Sequence, residues 1–507
     1  MDDIRELIGI ISKRKLSQIE IFDKSLISQK DTLFSKLYDG IASGDIQSDE
    51  DAVKCLYSIA DEPPTENNKV AYRRLKSRFK QRLYNTLYFL DLNQTNLADL
   101  AKKDYAFCLN KLYLSNLLLR YADNRNASIT LVMEAYPIAQ KYNFYDLLKE
   151  FSFKLLIFYG MNGKTKQYNE EIIRYENFKK EYELEQSAQL IYSKIYLMSN
   201  MTKYDPEILG QQMLVEIDKL IPLYQASSSI NTYFSYIRSK LFYFEKFADN
   251  VNMIAVCDEF LKNYNNYKSS LLLQNYTDVI SLHKLKSLFD VRELQKSNEL
   301  AMQLESNARS LNWLTVKEFQ FKANLNYQIN RQVLDIAEEV MSSQHYKSTT
   351  NPIKERWLLY HAYALLMFQH ANQITYKINI KKLDNQLETL SQDKAEFNLS
   401  FRILEIIYAI ALNDLDTAAD KISLLEAYQK RHIKHEKYNR FILFLSLLTQ
   451  AEKRGFNYKE LAKLKPYLTL KENFRMQYIN MNEIVFFDKL WEIILDMLKT
   501  NNNKLFA

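Results

Sequence analysis

The sequence predicts an all-α protein, an α-α superhelix of about eight to nine antiparallel helix pairs that follows an N-terminal helical domain. Three observations support this fold class. Only seven Gly and seven Pro occur among 507 residues, where average usage gives roughly 35 and 25. Helical segments recur in pairs with a period of about 41 residues. In one pair, the helix at 397–412 is apolar on nearly all faces and the helix from 415 on one face, as stacked pairs require.

The composition bears on fold and compartment. Sheets and hairpins need Gly for turns with positive φ, whereas long helices joined by short polar turns need little. Charges are balanced and interspersed, 68 basic against 62 acidic, and imply neither nucleic acid nor membrane by themselves. Cys55, Cys108 and Cys257 are far apart without a CxxC pair, which favours a reducing compartment. With an acidic start and apolar runs too short for a bilayer, we expect a cytoplasmic protein without a membrane partner.

The first segment, residues 1–92, is predicted to be a separate helical domain. Short helices are expected near 2–14, 31–42 and 49–59, and a long helix from about 66 to 92 after Pro63-Pro64.

The second segment, residues 93–470, is predicted to hold the repeats. First helices are expected to start near 100, 145, 185, 230, 271, 312, 353, 397 and 436. Second helices are expected to start near 127, 164, 206, 250, 290, 331, 376 and 415. A period sustained over this length is typical of a helical repeat array.

Local signals agree with this phasing. Asp205-Pro206 and Asn351-Pro352 each place a capping residue before a proline at a helix start. Asn413-Asp414 predicts a break, with a one-sided apolar helix after it. The helix before it, 397–412, is apolar on nearly all faces, which predicts burial between neighbours.

These features resemble the tetratricopeptide-like α-solenoids over roughly residues 95–455. The resemblance rests on the helix-pair period and on small residues early in second helices, such as Ala127, Ala337 and Ala418. The repeats are longer than the family's usual 34 residues, and its Trp, Gly and Pro positions are mostly unfilled. The resemblance implies an extended concave surface for a peptide or a partner's helix, and it transfers no functional residue.

The third segment, residues 471–507, is predicted to contain capping helices. One apolar stripe predicts a helix that covers the end of the array, and an amphipathic partner-binding helix is the alternative. The stripe consists of Phe486, Phe487, Leu490, Trp491, Ile494 and Leu498.

Two motifs partly match patterns that bind phosphate or a metal ion. Gly160-Met-Asn-Gly-Lys-Thr165 ends like a phosphate-binding loop, but Phe158 stands where that loop needs its first Gly, so we expect a turn between helices. His432 and His435 share a helical spacing within a run of positive charge, which favours a solvated turn over a metal site. With no catalytic constellation recognised, we expect no enzyme activity, cofactor or metal.

The most specific local feature is a basic helix between Tyr72 and Arg82. Tyr72, Leu75, Phe79 and Leu83 form a stripe predicted to be buried. The cations around that stripe are Arg73, Arg74, Lys76, Arg78, Lys80 and Arg82. They are candidate contacts for nucleic acid or an acidic partner, unless the acidic residues at 49–51 and 61–62 neutralise them.

The sequence therefore predicts a non-catalytic protein- or peptide-binding scaffold. The alternative is a transcriptional or RNA-associated regulator, in which the basic helix contacts nucleic acid and the solenoid senses a ligand. That plan resembles the quorum-sensing peptide receptors, which join a DNA-binding head to a tetratricopeptide-like body.

Overall fold

The structure is a computed structural model, and it describes residues 4, 33–57, 65–87, 100–121, 125–264, 270–305, 310–390, 395–432, 439–472 and 483–505. Every regular element among these residues is a helix, which confirms the all-α class. The chain divides into two compact units, Met1–Lys103 and Asp104–Ala507. The first division predicted from the sequence lay about ten residues earlier, at 92/93.

The first unit contains three described helices, α1 (Leu33–Ser43), α2 (Asp49–Tyr57) and α3 (Glu66–Leu87). The α2 helix begins with a reciprocal cap: Ser48 Oγ accepts from the Asp51 N–H, and Asp51 Oδ2 accepts from the Ser48 N–H. α2 packs against both α1 and α3 around a small apolar core. That core includes Leu37, Tyr38, Ala52, Val53, Tyr72, Phe79 and Leu83.

The second unit holds the remaining helices, and α4 spans the boundary between the units. In chain order they are α4 (Leu100–Tyr121), α5 (Arg125–Tyr142), α6 (Tyr145–Met161), α7 (Thr165–Ser199), α8 (Pro206–Asp218), α9 (Leu220–Ala226), α10 (Ile230–Lys246), α11 (Asn250–Asn263), α12 (Ser270–Asp290), α13 (Leu294–Glu305), α14 (Ser310–Tyr327), α15 (Arg331–Ser342), α16 (Gln344–Lys347), α17 (Asn351–Ala371), α18 (Ile380–Leu390), α19 (Ala395–Ala411), α20 (Leu415–His432), α21 (Asn439–Lys453), α22 (Tyr458–Leu461), α23 (Lys465–Glu472) and α24 (Phe487–Leu505).

Most helices begin within about four residues of the predicted starts, but the start predicted near 185 is wrong. α7 runs without interruption from Thr165 to Ser199, so one second helix and the following first helix are fused. Residues 178–190 contain no Gly or Pro, and most are strong helix formers such as Lys, Glu, Leu and Gln. Nothing in that stretch ends a helix.

One of the two predicted caps is present. Asp205 caps α8, because its side chain accepts from the N–H groups of Glu207 and Ile208. At Asn351-Pro352 the predicted cap is wrong: the cap residue is Thr350, one position earlier, and its side chain makes no capping hydrogen bond. The break at Asn413-Asp414 is confirmed: Asn413 adopts a φ of 59° and Asp414 Oδ1 accepts from the Thr417 N–H at 3.2 Å.

Side-chain hydrogen bonds join helices that lie one predicted period apart along the chain. Tyr105 on α4 donates to Asp146 on α6, 41 residues later. Lys286 on α12 donates to Glu245 on α10, again at a separation of 41 residues. Tyr360 on α17 donates to Glu318 on α14, at a separation of 42 residues. Neighbours along the chain also pack together, for example α12 with α13 and α14.

The burial pattern of α19 and α20 agrees with the prediction of one helix buried on nearly all faces and the next buried on one face. On α19, Phe401, Ile403, Leu404, Ile406, Ile407 and Ile410 are all buried, whereas α20 buries Ala418, Ile422 and Leu425 on one side. Ala337 and Ala418 are fully buried and Ala127 is half-buried. Small residues at such positions allow adjacent helices to approach closely.

The C-terminal helix and the residues just before it contact several distant elements. α24 packs against α19, α21, α22 and α23, and the residues just before it reach back to α14. Asn326 Nδ2 donates to the Ile484 carbonyl at 3.0 Å, and the Phe486 N–H donates to Asn326 Oδ1 at 2.8 Å. The predicted stripe of six apolar residues is buried throughout. α24 therefore joins elements that are far apart in sequence.

Candidate functional site

The predicted basic helix lies on α3, and its apolar stripe packs as expected. Tyr72, Phe79 and Leu83 are buried and Leu75 is half-buried. This places the six candidate cations around the remaining surface of the helix, because residues three and four apart share a face.

Part of this positive charge has partners within the first unit. Lys76 Nζ lies 2.8 Å from each carboxylate oxygen of Asp49, which also accepts from Tyr72 Oη at 2.8 Å. Partial burial raises the pKa of the Asp49 carboxyl, but these hydrogen bonds outweigh it, and the pKa lies below its ordinary value. The Arg82 guanidinium lies over the Phe34 ring at 4.2 Å, and Lys80 lies over Tyr84 at 5.7 Å.

The other three cations point to solvent. Arg73, Arg74 and Arg78 are exposed, and Arg74 and Arg78 lie one helical turn apart. Asp49 accounts for one predicted neutralising contact, while Asp51 is used to cap α2. The acidic residues at 61–62 lie outside the described residues. A patch of three exposed guanidinium groups therefore remains on α3.

The segment resembling a phosphate-binding loop is a turn between α6 and α7. Gly160 lies inside α6, Gly163 adopts a φ of 64°, and α7 begins at Thr165. Lys164 Nζ lies 5.2 Å from the centre of the Phe158 ring. A turn between two helices lacks the strand that presents a phosphate-binding loop.

The histidines form no cluster in the described part of the chain. The His432 side chain and His435 lie outside the described residues. His370 Nδ1 is 2.9 Å from Tyr376 Oη, and its Nε2 is 3.1 Å from Asp496 Oδ2 on α24. Burial lowers the pKa of His370 despite that carboxylate. Among the described residues, no three His, Cys, Asp or Glu side chains are grouped so that they could hold a metal ion.

A buried ionic network fixes the start of α24. Arg440, at the start of α21, donates through Nε and Nη2 to Glu483, with the shortest distance 2.6 Å. Its Nη2 also lies 3.2 Å from Asp488 Oδ1. Arg292 holds the same Asp488 through two bonds of 2.6 Å. Two cations and two carboxylates are thus mutually satisfied, which a buried charge cluster requires.

A cavity of about 270 Å³ lies between α19 and α20. Its lining comprises Leu399, Arg402, Lys421, Leu424, Leu425 and Tyr428. Both cations at the cavity already bind Glu405, Lys421 at 2.6 Å and Arg402 at 2.8 Å. Their charge is largely offset by that carboxylate.

A different cation, Arg238 on α10, has no such partner. Its guanidinium lies over three rings, at 5.2 Å from Tyr192, 5.2 Å from Phe242 and 5.8 Å from Phe234. The Nε atom is buried and has no hydrogen-bond partner among the described residues. No carboxylate in the described part of the chain lies within ion-pairing distance of this side chain. Arg238 was not predicted from the sequence, although Phe234, Arg238 and Phe242 recur at spacings of four, which places a cation within an aromatic helix face.

Exposed apolar side chains are unevenly distributed over the described residues. Eighteen of the twenty-eight large exposed ones lie between Phe107 and Val215, and seven lie beyond that point. On α6, Phe153, Ile157 and Met161 recur at spacings of four and are each about half exposed or more. On α7, Leu190 and Leu197 are 71% and 69% exposed. This concentration of exposed apolar side chains makes the stretch a candidate interaction site.

Comparison with known proteins finds no matching family model, no similar curated protein and no similar solved structure. None of the helices in the described ranges combines the length and the apolar character needed to cross a bilayer.

Proposed function

We propose that the second unit is a tetratricopeptide-like superhelix that binds an amphipathic helical segment of another protein and catalyses no reaction. The hydrogen bonds between helices about one period apart support the repeat architecture. The observation that supports binding is the concentration of exposed apolar side chains on α4, α6, α7 and α8.

The chain itself offers a precedent for such a partner. α24 is an amphipathic helix, and its apolar stripe covers the later helices α19 and α21. It is anchored at one end by charged groups and along its length by Trp491, Ile494 and Leu498, all buried. The earlier helices keep comparable side chains exposed. An external helix is therefore the occupant that suits α4 to α8.

The test is selection of a randomised peptide display library against the full chain. We expect enrichment of peptides with apolar residues at helical spacing. Synthetic copies of these peptides should lose at least tenfold in affinity for Leu190→Asp and Leu197→Asp in fluorescence polarisation.

The matched control is Val251→Asp on α11, a site 65% exposed and on a helix outside α4 to α8, which should bind as wild type. Absence of any enriched sequence contradicts the proposal. A concentration-dependent dimer in sedimentation, abolished by Leu190→Asp, would assign the surface to a second copy of this chain instead.

The second candidate is a nucleic-acid contact on α3, favoured by the exposed Arg73, Arg74 and Arg78. Binding to phosphate would weaken steeply with salt, because each contact releases counterions. Arg74→Glu with Arg78→Glu should then abolish binding to duplex DNA or RNA at low salt. Undetectable binding by the wild type, or binding that the double variant retains, eliminates this candidate.

A further inference from the structure

Arg238 lies where three helices of the second unit meet. α10 carries Arg238, Phe234 and Phe242, α7 contributes Tyr192, and α12 contributes Tyr276. Tyr276 stacks on Phe234 with ring centres 3.8 Å apart, and its hydroxyl donates to Asn231 Oδ1 at 2.5 Å. The ring of Tyr192 packs 5.6 Å from that of Phe242. The guanidinium is thus held by aromatic surfaces and not by a counter-ion.

Two carboxylates on these helices, one on α7 and one on α10, are engaged elsewhere. Glu185 accepts from the Ser229 hydroxyl and, at 2.9 Å, from Asn231 Nδ2. Glu245 accepts from Lys286 at 2.7 Å. Two further groups that carry positive charge when protonated, His283 and Lys286, lie on α12 close enough to act electrostatically in this region. The surroundings of Arg238 are therefore short of negative charge.

The geometry points to a carboxylate-binding site at Arg238, which receives an aspartate, glutamate or C-terminal carboxylate of the bound peptide. A guanidinium presents a planar fork of donors that matches a carboxylate in a bidentate manner. Cation–π contacts restrain the plane of that fork, so less rotational freedom is lost when the anion binds. The aromatic walls also reduce solvent screening, which strengthens the pair.

The site adjoins the proposed peptide surface. Tyr196 is 51% exposed and its ring lies 5.1 Å from that of Phe242, so it connects Arg238 with the exposed end of α7. The ligand is accordingly a helix that carries a carboxylate beside its apolar stripe. This inference rests on the proposed peptide-binding function and adds the chemistry of one anchor.

The experiment uses the same display selection, run in parallel against the full chain and its Arg238→Gln variant. Enriched peptides are then synthesised in matched pairs, Glu against Gln, Asp against Asn, and C-terminal acid against amide. For the wild type, the acid member should bind roughly tenfold to a hundredfold more tightly in fluorescence polarisation. Arg238→Gln should remove that difference, and Arg238→Lys, which lacks the fork, should restore only part of it.

The control is Arg331→Gln, because Arg331 is exposed on α15 and already pairs with Asp335 and Glu338. It should leave the preference for the acid unchanged. Far-ultraviolet circular dichroism and the melting temperature show that each variant is folded.

The outcomes separate the two proposals. Enriched peptides that bind equally as acid and neutral forms, or whose preference survives Arg238→Gln, overturn the anchor while the scaffold stands. A library that yields no enriched peptide overturns both. The matched peptide pair whose affinity difference depends on Arg238 shows whether a side-chain or a terminal carboxylate is recognised.

Discussion

The buried pair between Arg440 and Glu483 should be strongly coupled in its effect on stability. Both side chains are almost fully buried, at 3% and 0% exposure. Glu483→Gln removes the charge that faces the Arg440 guanidinium while its amide oxygen still accepts from the Phe487 N–H. Breaking one partner of such a pair costs about 3–5 kcal/mol, because the other charge stays buried.

The double variant Arg440→Met with Glu483→Gln should cost no more than either single variant. Arg440→Met alone strands the Glu483 carboxylate, so the two single effects would sum to roughly 6–10 kcal/mol. In the double variant neither charge of the pair remains. Asp488 keeps its two bonds to Arg292, so no carboxylate is orphaned. The expected coupling energy is therefore about 3 kcal/mol or more.

Urea unfolding followed by tryptophan fluorescence measures these free energies. Trp313, Trp357 and Trp491 all lie in the second unit, so the signal reports on that unit. Arg331→Met breaks only exposed pairs on α15 and should cost at most about 1 kcal/mol. Single effects below about 1 kcal/mol, or strict additivity of the two substitutions, would refute the reasoning.

Three further outcomes follow from buried or strained positions. Burial raises the pKa of Glu185 from 4.5 to about 7, so between these values the folded state holds a proton that the unfolded state has lost. The free energy of unfolding should therefore fall by on the order of 3 kcal/mol as pH rises from about 4.5 to about 7. Glu185→Gln should remove this part of the pH dependence in melting experiments. Trp491→Ala empties a fully buried site on α24 and should cost about 3–5 kcal/mol in urea unfolding, whereas Leu424→Ala, 70% exposed, should stay within about 0.5 kcal/mol. Gly163→Ala places a side chain at a φ of 64° with no atom within 4 Å of its Cβ, so it should lower stability by roughly 1 kcal/mol through backbone strain alone.

Much of the helix layout could be predicted because its signals are local. The Asp205-Pro206 cap and the Asn413-Asp414 break each depend on a few adjacent residues, and both lie where the sequence places them. The uninterrupted helix α7 was not predicted, because the helix start expected near residue 185 came from the period alone and no residue there ends a helix. Residues 178–190 contain no helix stop, and their local helix propensity prevails over the predicted period.

The surfaces could be predicted less well, because they depend on contacts between distant residues. The apolar stripe of α24 could be predicted, but the hydrogen bonds of Asn326 with Ile484 and Phe486, just before the helix, join positions 158 and 160 residues apart. On α3 the cations were readable, whereas the pairing of Lys76 with Asp49 requires the packing of α2. The spacing of Phe234, Arg238 and Phe242 is visible in the sequence, but only the structure shows that the Arg238 guanidinium lies over the Tyr192 ring.

The return of α24 to earlier helices has a consequence for synthesis on the ribosome. Arg292 and Asp488 are separated by 196 residues, so the Arg292 guanidinium leaves the exit tunnel long before its carboxylate. At about 5–20 residues per second, that delay lasts roughly 10–40 s. Within this interval α19 and α21 emerge as well, and their apolar faces stay open to solvent and to other chains until α24 follows. This nascent intermediate is the stage at which a chaperone would protect the protein from aggregation.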